Sequence, residues 1–464
     1  MTTHPRIIIS GLKGGSGKTL LSLGLAAALT RQGIRVKPYK KGPDYIDAAW
    51  LALAAGRDAT NLDPFFLPPA RLRALFQHSL PAHHLALIEG NRGLFDGRDA
   101  RGSCATAELA HILDCPVIVS LDCTKMTRTA AALVLGLTMF DPRIRIAGII
   151  LNQVGTSRQA TLIRQAVEQH TCVPVLGALP RLPRNPLPER HMGLASGNMG
   201  DAARAVLEQL GTFISEHVDM ARVRNLANAA PALPPSPPFW EGDARPARVR
   251  IGYVRDEALW FYYGENLEAL RRAGAELVRL SFADKEPWPE LDGIYLGGGF
   301  PEDHAPRLSQ SPHLAELQRW SDAGMPIYAE CGGFMVLARA ISRADASHRM
   351  AGIFPVEARF SPRPQGLGYV EGRVTCDNPF LPRGSLVRGH EFHYSHCVPD
   401  ADAAPCCALA LDCGRGMGQG QDALIVRRTW ASYTHIFAPA LPQWADNFVA
   451  AAAAFATEAG RGRG

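Results

Sequence analysis

The run Gly11-Leu12-Lys13-Gly14-Gly15-Ser16-Gly17-Lys18-Thr19 follows the apolar stretch Ile7-Ile8-Ile9 and precedes a helical pattern from Leu20 to Arg31. A strand, a glycine-rich turn and a helix in that order form a phosphate loop. Glycines let the backbone aim its N–H groups at phosphate oxygens, Lys18 adds a positive charge, and Thr19 offers a hydroxyl to Mg2+. The helix adds its positive dipole end. The usual pattern asks for Gly five residues before Gly17; here Leu12 holds that place and Gly11 stands one residue earlier. The loop is therefore a variant, but the expected ligands are still ATP and Mg2+.

A nucleotide domain of this kind leaves half of a 464-residue chain unexplained, so two or three domains are expected. The net charge of +5, from 49 basic against 44 acidic residues, is too mild and too scattered for a nucleic-acid surface. The N-terminal residues lack a signal-type apolar core, and no apolar run reaches membrane-spanning length, so a cytoplasmic location is expected. Ten cysteines occur without a CxxC pair, which argues against a zinc ribbon or a disulfide framework.

From residue 6 to about 218 short β-branched runs alternate with helical patterns. Ile7–Ile9, Leu85–Ile88, Pro116–Leu121, Ile146–Leu151 and Val173–Gly177 read as buried strands. Leu20–Thr30, Thr106–Leu113, Thr129–Phe140 and Arg158–Gln169 read as helices. That alternation predicts a parallel sheet covered by helices. Residues 227–246 are proline-dense and read as a linker. A second α/β series follows, with strands at Arg248–Val254, Glu276–Leu280, Gly293–Leu296 and Pro326–Ala329, a helix over Glu265–Ala273, and a closing helix over Ala450–Ala459 with a frayed Gly/Arg end. The fold class is thus α/β with two doubly wound domains: 1–226, carrying the phosphate loop, and 247–464.

In Met325-Pro326-Ile327-Tyr328-Ala329-Glu330-Cys331-Gly332-Gly333-Phe334 an apolar strand ends in a cysteine, and two glycines precede the next helix. This is the pattern of a nucleophile elbow, in which the turn exposes the sulfur and the helix start favours a thiolate. Upstream, Leu296-Gly297-Gly298-Gly299-Phe300-Pro301-Glu302 closes another strand. Backbone N–H groups of Gly298 and Gly299 can form an oxyanion hole with that of Gly332. The base should be a histidine. His435, in Ser432-Tyr433-Thr434-His435, is favoured; His390 and His393, in Arg388-Gly389-His390-Glu391-Phe392-His393-Tyr394-Ser395, compete with it.

At these residues the chain resembles the class I, triad-type glutamine amidotransferases. The set YAECGG, LGGGFPE, RGHEFHYS and SYTH is similar to the cobyrinate and cobyrate synthase branch. The resemblance implies that Cys331 attacks the glutamine amide, His435 moves protons, and ammonia leaves a glutamyl thioester. There is one departure: members of the wider class carry Glu two residues after the histidine, where this chain has Phe437. The partner that orients His435 stays open.

In the first half, Lys40-Lys41-Gly42-Pro43-Asp44-Tyr45-Ile46-Asp47 sets two acids around a rigid turn, and the strand Leu85–Ile88 ends in Glu89-Gly90, followed by Asn91-Arg92-Gly93-Leu94-Phe95-Asp96-Gly97. Acids at strand ends beside a phosphate loop suit Mg2+ and substrate handling. KGPDYID, Asn61-Leu62-Asp63 and EGNRGLFDG extend the resemblance over the whole chain, to the cobyrinate a,c-diamide synthase family. Its synthetase domain shares the dethiobiotin synthetase fold. The resemblance implies that ATP phosphorylates acetate carboxylates a and c of an acidic tetrapyrrole and that ammonia from glutamine displaces the phosphate. By position, Gly14, Gly15, Ser16, Gly17, Lys18 and Thr19 hold phosphates. Thr19, Asp44 and Glu89 hold Mg2+, and Asp47 and Asp96 lie near the reacting carboxylate. Asn152 matches a base-recognising Asn of related ATPases, with a buried capping Asn as the other reading. Lys40, Lys41 and Arg92 are either substrate-neutralising or surface residues.

Two alternatives stay open at this point. Lys13 matches the extra lysine of partition and septum-site ATPases, which would make the first half an ATPase switch and leaves a homodimer open; the other reading of Lys13 is a local phosphate ligand. The acceptor is cobyrinate, sirohydrochlorin or sirohaem, because EGNRGLFDG and the second lysine of KKGPDYID resemble a sirohaem-amidating branch.

Overall fold

A computed structural model describes residues 4–184, 186–187, 197–344 and 346–460. The chain divides into two compact units, one ending at Glu241 and the other beginning at Gly242. The expected frayed end falls mostly on 461–464, outside the described residues.

The first unit runs β1 (Arg6–Gly11), α1 (Lys18–Arg31), β2 (Val36–Lys41), α2 (Tyr45–Ala55), β3 (Thr60–Leu62), α3 (Pro69–Ser79), β4 (Leu85–Glu89), α4 (Thr106–Ile112), β5 (Val117–Asp122), α5 (Thr129–Phe140), β6 (Ile146–Val154), α6 (Ser157–His170), β7 (Val175–Pro180), α7 (Gly197–His217) and α8 (Met220–Asn228). Its seven strands are parallel, in the order β3-β2-β4-β1-β5-β6-β7. Ile7, Ile8 and Ile9 are wholly buried because β1 lies mid-sheet with helices on both faces. Each such side chain contributes about 1.5–3 kcal/mol relative to exposure. The chain passes from β1 to β2, β3 and β4 on one side and then from β4 to β5 on the other, so the winding reverses beside β1 and opens a crevice beyond its C-terminal end. The phosphate loop, the ends of β2 and β4, and the end of β6 surround that crevice.

The proline-dense tract differs from a free linker over its first three quarters. Prolines lack N–H donors but keep their carbonyls, and these are used: Arg6 Nη2 donates to Pro231 O at 2.7 Å and Gln77 Nε2 to Pro234 O at 2.9 Å. Phe239 is buried, with its ring 5.8 Å from that of His78. Residues up to Glu241 therefore belong to the first unit.

The second unit contains β8 (Val249–Val254), β9 (Leu259–Phe261), α9 (Gly264–Arg272), β10 (Ala275–Leu280), β11 (Gly293–Leu296), β12 (Gly298–Gly299), α10 (Pro301–Leu308), α11 (His313–Asp322), β13 (Ile327–Glu330), α12 (Gly332–Leu337), β14 (Ala338–Arg343), β15 (Ala346–Arg349), β16 (Phe354–Phe360), β17 (Gly366–Val374), β18 (Leu386–His393), β19 (Ser395–Pro399), β20 (Cys407–Cys413), β21 (Gln421–Val426), β22 (Thr429–Ser432), β23 (His435–Ile436) and α13 (Gln443–Glu458). Strands β10-β8-β11-β13-β22 are parallel neighbours, and β21-β20-β17-β18-β23 continue the sheet antiparallel. A four-stranded sheet and the short pair β12-β9 stand apart from it. Sequence patterning anticipates the parallel part only. Strand β17, Gly-Leu-Gly-Tyr-Val-Glu-Gly-Arg-Val, carries three glycines, which disguise it as a loop.

Among the described residues, no helix is long and apolar enough to cross a membrane.

Candidate active sites

In the first unit the glycines of the loop have separate structural reasons. Gly17 takes φ +81° as the N-cap of α1, and a Cβ there would collide with the Asn152 amide. A Cβ on Gly11 would lie 2.9 Å from Ser16 Cβ, so the displaced glycine still serves the path of the loop. Ser120 Oγ and Asn152 Nδ2 both donate to Ser16 O, at 2.8 and 3.1 Å, while Ser16 Oγ donates to Lys13 O at 2.8 Å. Asn152 is thus a buried brace of the phosphate loop. Lys18 Nζ donates to Lys13 O at 3.1 Å, and burial, followed by repulsion from Lys40, lowers its pKa.

Behind the loop lies a charged cluster. Thr19 Oγ1 donates to Glu89 Oε1 at 2.7 Å, with Asp47 Oδ2 at 3.5 Å. Lys40 Nζ lies 2.6 Å from Asp47 Oδ2, 3.1 Å from Glu89 Oε1 and 4.0 Å from Asp44 Oδ2. Burial, reinforced by Asp47, pushes the Asp44 carboxyl up, and burial likewise raises that of Glu89 against the pull of Lys40. For Asp47 burial also opposes the charge, but Lys40 outweighs it and holds the carboxyl below the usual range. Asp44 is the N-cap of α2, accepting from Asp47 N at 2.9 Å.

Asn61 Nδ2 donates to Gly42 O at 2.8 Å and Asp44 O at 3.1 Å, and Lys41 pairs with buried Asp63 at 3.8 Å. The Asn61-Leu62-Asp63 motif therefore props the acidic turn. Of the three basic residues proposed to face a substrate, Lys40 and Lys41 are buried against the unit's own acids and Arg92 is exposed. Asp96 is exposed and accepts from Gly93 N at 2.9 Å.

Among the described residues no three acids, histidines or cysteines converge as a ready metal cage. Mg2+ does not need one, because it takes one or two carboxylates together with phosphates and water. The donor set fits such an ion: a hydroxyl, hard carboxylate oxygens, and a buried Glu89 Oε2 with no hydrogen-bond partner among the described residues.

In the second unit Cys331 has φ +48° and ψ −101°, a left-handed conformation held by Cys331 N donating to Ser432 O at 2.7 Å. The following helix has only six residues, too short to supply the expected thiolate-favouring field. Burial, followed by the nearby Glu302 charge, instead pushes the thiol up. A neutral thiol at rest calls for a base during attack.

The three histidines separate by contact. His393 stacks on Tyr433 at 3.7 Å, with Nε2 3.2 Å from Glu391 Oε2 and Nδ1 2.9 Å from Ser395 O. His390 stacks on His435 at 4.7 Å, and burial together with that neighbour lowers its pKa well below the ordinary value. His435 lies against the oxyanion loop, where a Cβ on Gly298 would sit 3.2 Å from its Nε2. Gly299 and Gly332 meet there as well, since a Cβ on Gly332 would lie 2.8 Å from Gly299 N. Tyr262 fixes the loop by accepting from Gly297 N at 2.8 Å and donating to Val254 O at 2.6 Å.

Glu330, the residue before the nucleophile, is fully buried, and its Oε2 lies 3.7 Å from His435 Nδ1. It accepts from Tyr295 OH at 2.9 Å and Ile436 N at 3.0 Å. Phe437 packs edge-on against Tyr263. Sequence reasoning passed over Glu330, although a carboxylate inside a buried strand is itself a signal.

Glu302 was also missed as a charged group of this site. Its Oε2 is buried without a hydrogen-bond partner among the described residues, and burial pushes the carboxyl up to about 7. The folded state then keeps a proton that the unfolded chain loses near 4.5, so stability falls as pH rises through that interval. Glu302→Gln should remove this loss and exceed the parent above pH 7 by roughly 2–3 kcal/mol. Urea midpoints of the second unit at pH 5 and 8 check it; equal pH dependence in both proteins would refute it.

The CobQ/CobB/MinD/ParA nucleotide binding domain family matches residues 7–194, and the CobB/CobQ-like glutamine amidotransferase domain family matches 250–440. The chain is similar to the cobyrinate a,c-diamide synthase of Magnetococcus marinus, at 42% identity covering 95% of this chain and 96% of the relative. Proteins of the same name from Dehalococcoides mccartyi (41%; 96% and 97%) and Methanothermobacter thermautotrophicus (36%; 96% and 98%) match as fully. At these identities over nearly the full length of both partners, the chain belongs to the cobyrinate a,c-diamide synthase family.

Proposed function

We propose that this chain amidates the a and c acetate carboxylates of cobyrinate, using ATP to activate each carboxylate and glutamine as the nitrogen source. One observation carries the reading: the Thr19, Lys40, Asp47 and Glu89 cluster beside the phosphate loop and the buried Cys331, His435 and Glu330 arrangement occur in one chain, which matches relatives of that name end to end. The first unit is then the synthetase and the second the glutaminase.

In the glutaminase, Cys331 Sγ attacks the carboxamide carbon while His435 takes the thiol proton. Backbone N–H groups of Gly298, Gly299 and Gly332 face the developing oxyanion. His435 returns the proton to the departing nitrogen, releasing ammonia, and water then cleaves the thioester to glutamate. Glu330 holds His435 in orientation.

In the synthetase, Gly14 to Lys18 bind the triphosphate through backbone N–H groups and the Lys18 ammonium, with Asn152 bracing the loop from below. Bound Mg2+, held by Thr19 and Glu89 with Asp44 close by, would neutralise phosphate charge. Asp47 and Asp96 border the place where the acetate accepts the γ-phosphoryl group. Ammonia then attacks the acyl carbon, the C–O bond to phosphate breaks, and amide and phosphate leave.

Mass spectrometry of products from purified protein with ATP, Mg2+, glutamine and a panel of cobyrinate, sirohydrochlorin and sirohaem tests the function. Two successive replacements of OH by NH2 on cobyrinate are expected. Amidation of a sirohaem-type macrocycle in its place would move the acceptor, and ATP turnover indifferent to glutamine and every macrocycle would sink the reading.

Glu330→Gln removes the charge facing His435 while keeping an acceptor for Ile436 N. It should lower glutaminase kcat about 10–100-fold with little change in KM for glutamine. Steady-state kinetics check this, and an unchanged kcat would free His435 from Glu330.

A further inference from the structure

Lys40 is 2% exposed at the end of β2 and is surrounded by acids. Its ammonium contacts Asp47 at 2.6 Å and Glu89 at 3.1 Å, lies 4.0 Å from Asp44, and donates to Gly90 O at 3.5 Å. Buried Glu89 and half-buried Asp44 and Asp47 thus share one internal cation. Like-charged groups so close together repel unless a positive charge sits among them, and most strongly where one of them is desolvated.

The oxygens suited to a divalent cation are only partly committed. Glu89 Oε1 accepts from both Thr19 Oγ1 and Lys40 Nζ, whereas Glu89 Oε2 is buried without a hydrogen-bond partner among the described residues. A cation bound by Thr19 and Glu89 would stand within a few ångströms of the Lys40 ammonium. Two positive charges in that space oppose each other, so one must withdraw.

We propose that Lys40 is a tethered counter-ion, which balances the acid cluster when no divalent cation is bound and gives up Glu89 when Mg2+ enters. Asp47, at the shortest distance, is the acid that Lys40 keeps. The cluster then stays ordered in both states, and competition from Lys40 weakens Mg2+ binding in the absence of nucleotide. This rests on the assignment of Thr19 and Glu89 to the metal.

The test uses the full chain and Mg2+ alone, with no nucleotide, nitrogen donor or macrocycle. In calorimetric titrations Lys40→Gln should bind Mg2+ at least tenfold more tightly than the parent. In chelator its Tm should lie below that of the parent, and millimolar Mg2+ should raise it more. Equal Mg2+ affinities, no binding by either protein, or weaker binding by the variant would overturn the proposal. Should Lys40→Gln fail to fold, amine labelling of Lys40 in the parent is decisive: Mg2+ should increase it severalfold, and unchanged labelling would overturn the displacement. Glu89→Gln in the same titration separates the two claims. Binding lost in Glu89→Gln but unchanged in Lys40→Gln refutes the role of Lys40 alone, while binding indifferent to Glu89 refutes the metal assignment beneath it.

Discussion

Cys331→Ala is expected to reduce glutamine-driven amidation by at least about a thousandfold, because it removes the sulfur on which the proposed thioester forms. The same variant, supplied with ammonium salts at a pH that provides free ammonia, should amidate at close to the parent rate. The nitrogen then reaches the acyl phosphate without the second unit's chemistry. Cys331 is nearly buried, and its positive φ suits alanine no better than cysteine, so the fold should tolerate the change with a modest loss of stability. The measurement is amide formation with each nitrogen source, alongside thermal unfolding. Equal loss with both sources in a folded variant would refute the division of labour.

The converse experiment is Asp47→Asn. It removes the nearest negative partner of Lys40 and one of the two carboxylates near Thr19 while keeping the side chain's size. Amidation should fall about a hundredfold or more with glutamine and with ammonia alike, since an electrostatic contribution to carboxylate activation is lost whatever the nitrogen source. Glutaminase turnover at Cys331 should persist. Asp96→Asn is a useful companion, because an Asn oxygen can still accept from Gly93 N, so a fall in amidation there reports the charge itself. Undiminished amidation in both variants would remove these acids from the acceptor site.

Much of the fold was legible because it is locally encoded. Parallel strands buried on both faces require continuous apolar runs, and Ile7–Ile9, Leu85–Ile88 and Ile146–Leu151 announce them. The antiparallel extension of the second sheet was not legible, since glycine-rich strands such as β17 owe their state to neighbours distant in the chain. The sites divide in the same way. Gly14 to Thr19, Cys331 and the Gly298–Gly299 pair announce themselves because each needs a special backbone path within a few residues. His435 required a choice among three histidines, and the contacts that favour it, with the Gly298 loop and Glu330, join segments far apart in the chain.

The sequence by itself determined the two chemistries: a phosphate loop for a nucleotide and a cysteine elbow with its glycine-rich companion loop. Both are compact motifs whose physics lies in backbone conformation. Tertiary structure alone decided how the charges are shared. It set Glu330 opposite His435, turned Asn152 into a brace, and buried Lys40 and Lys41 among acids where an exposed role facing substrate was one expectation. Pairing of charges depends on distance and desolvation between strands far apart in the chain, and no local pattern of residues encodes either.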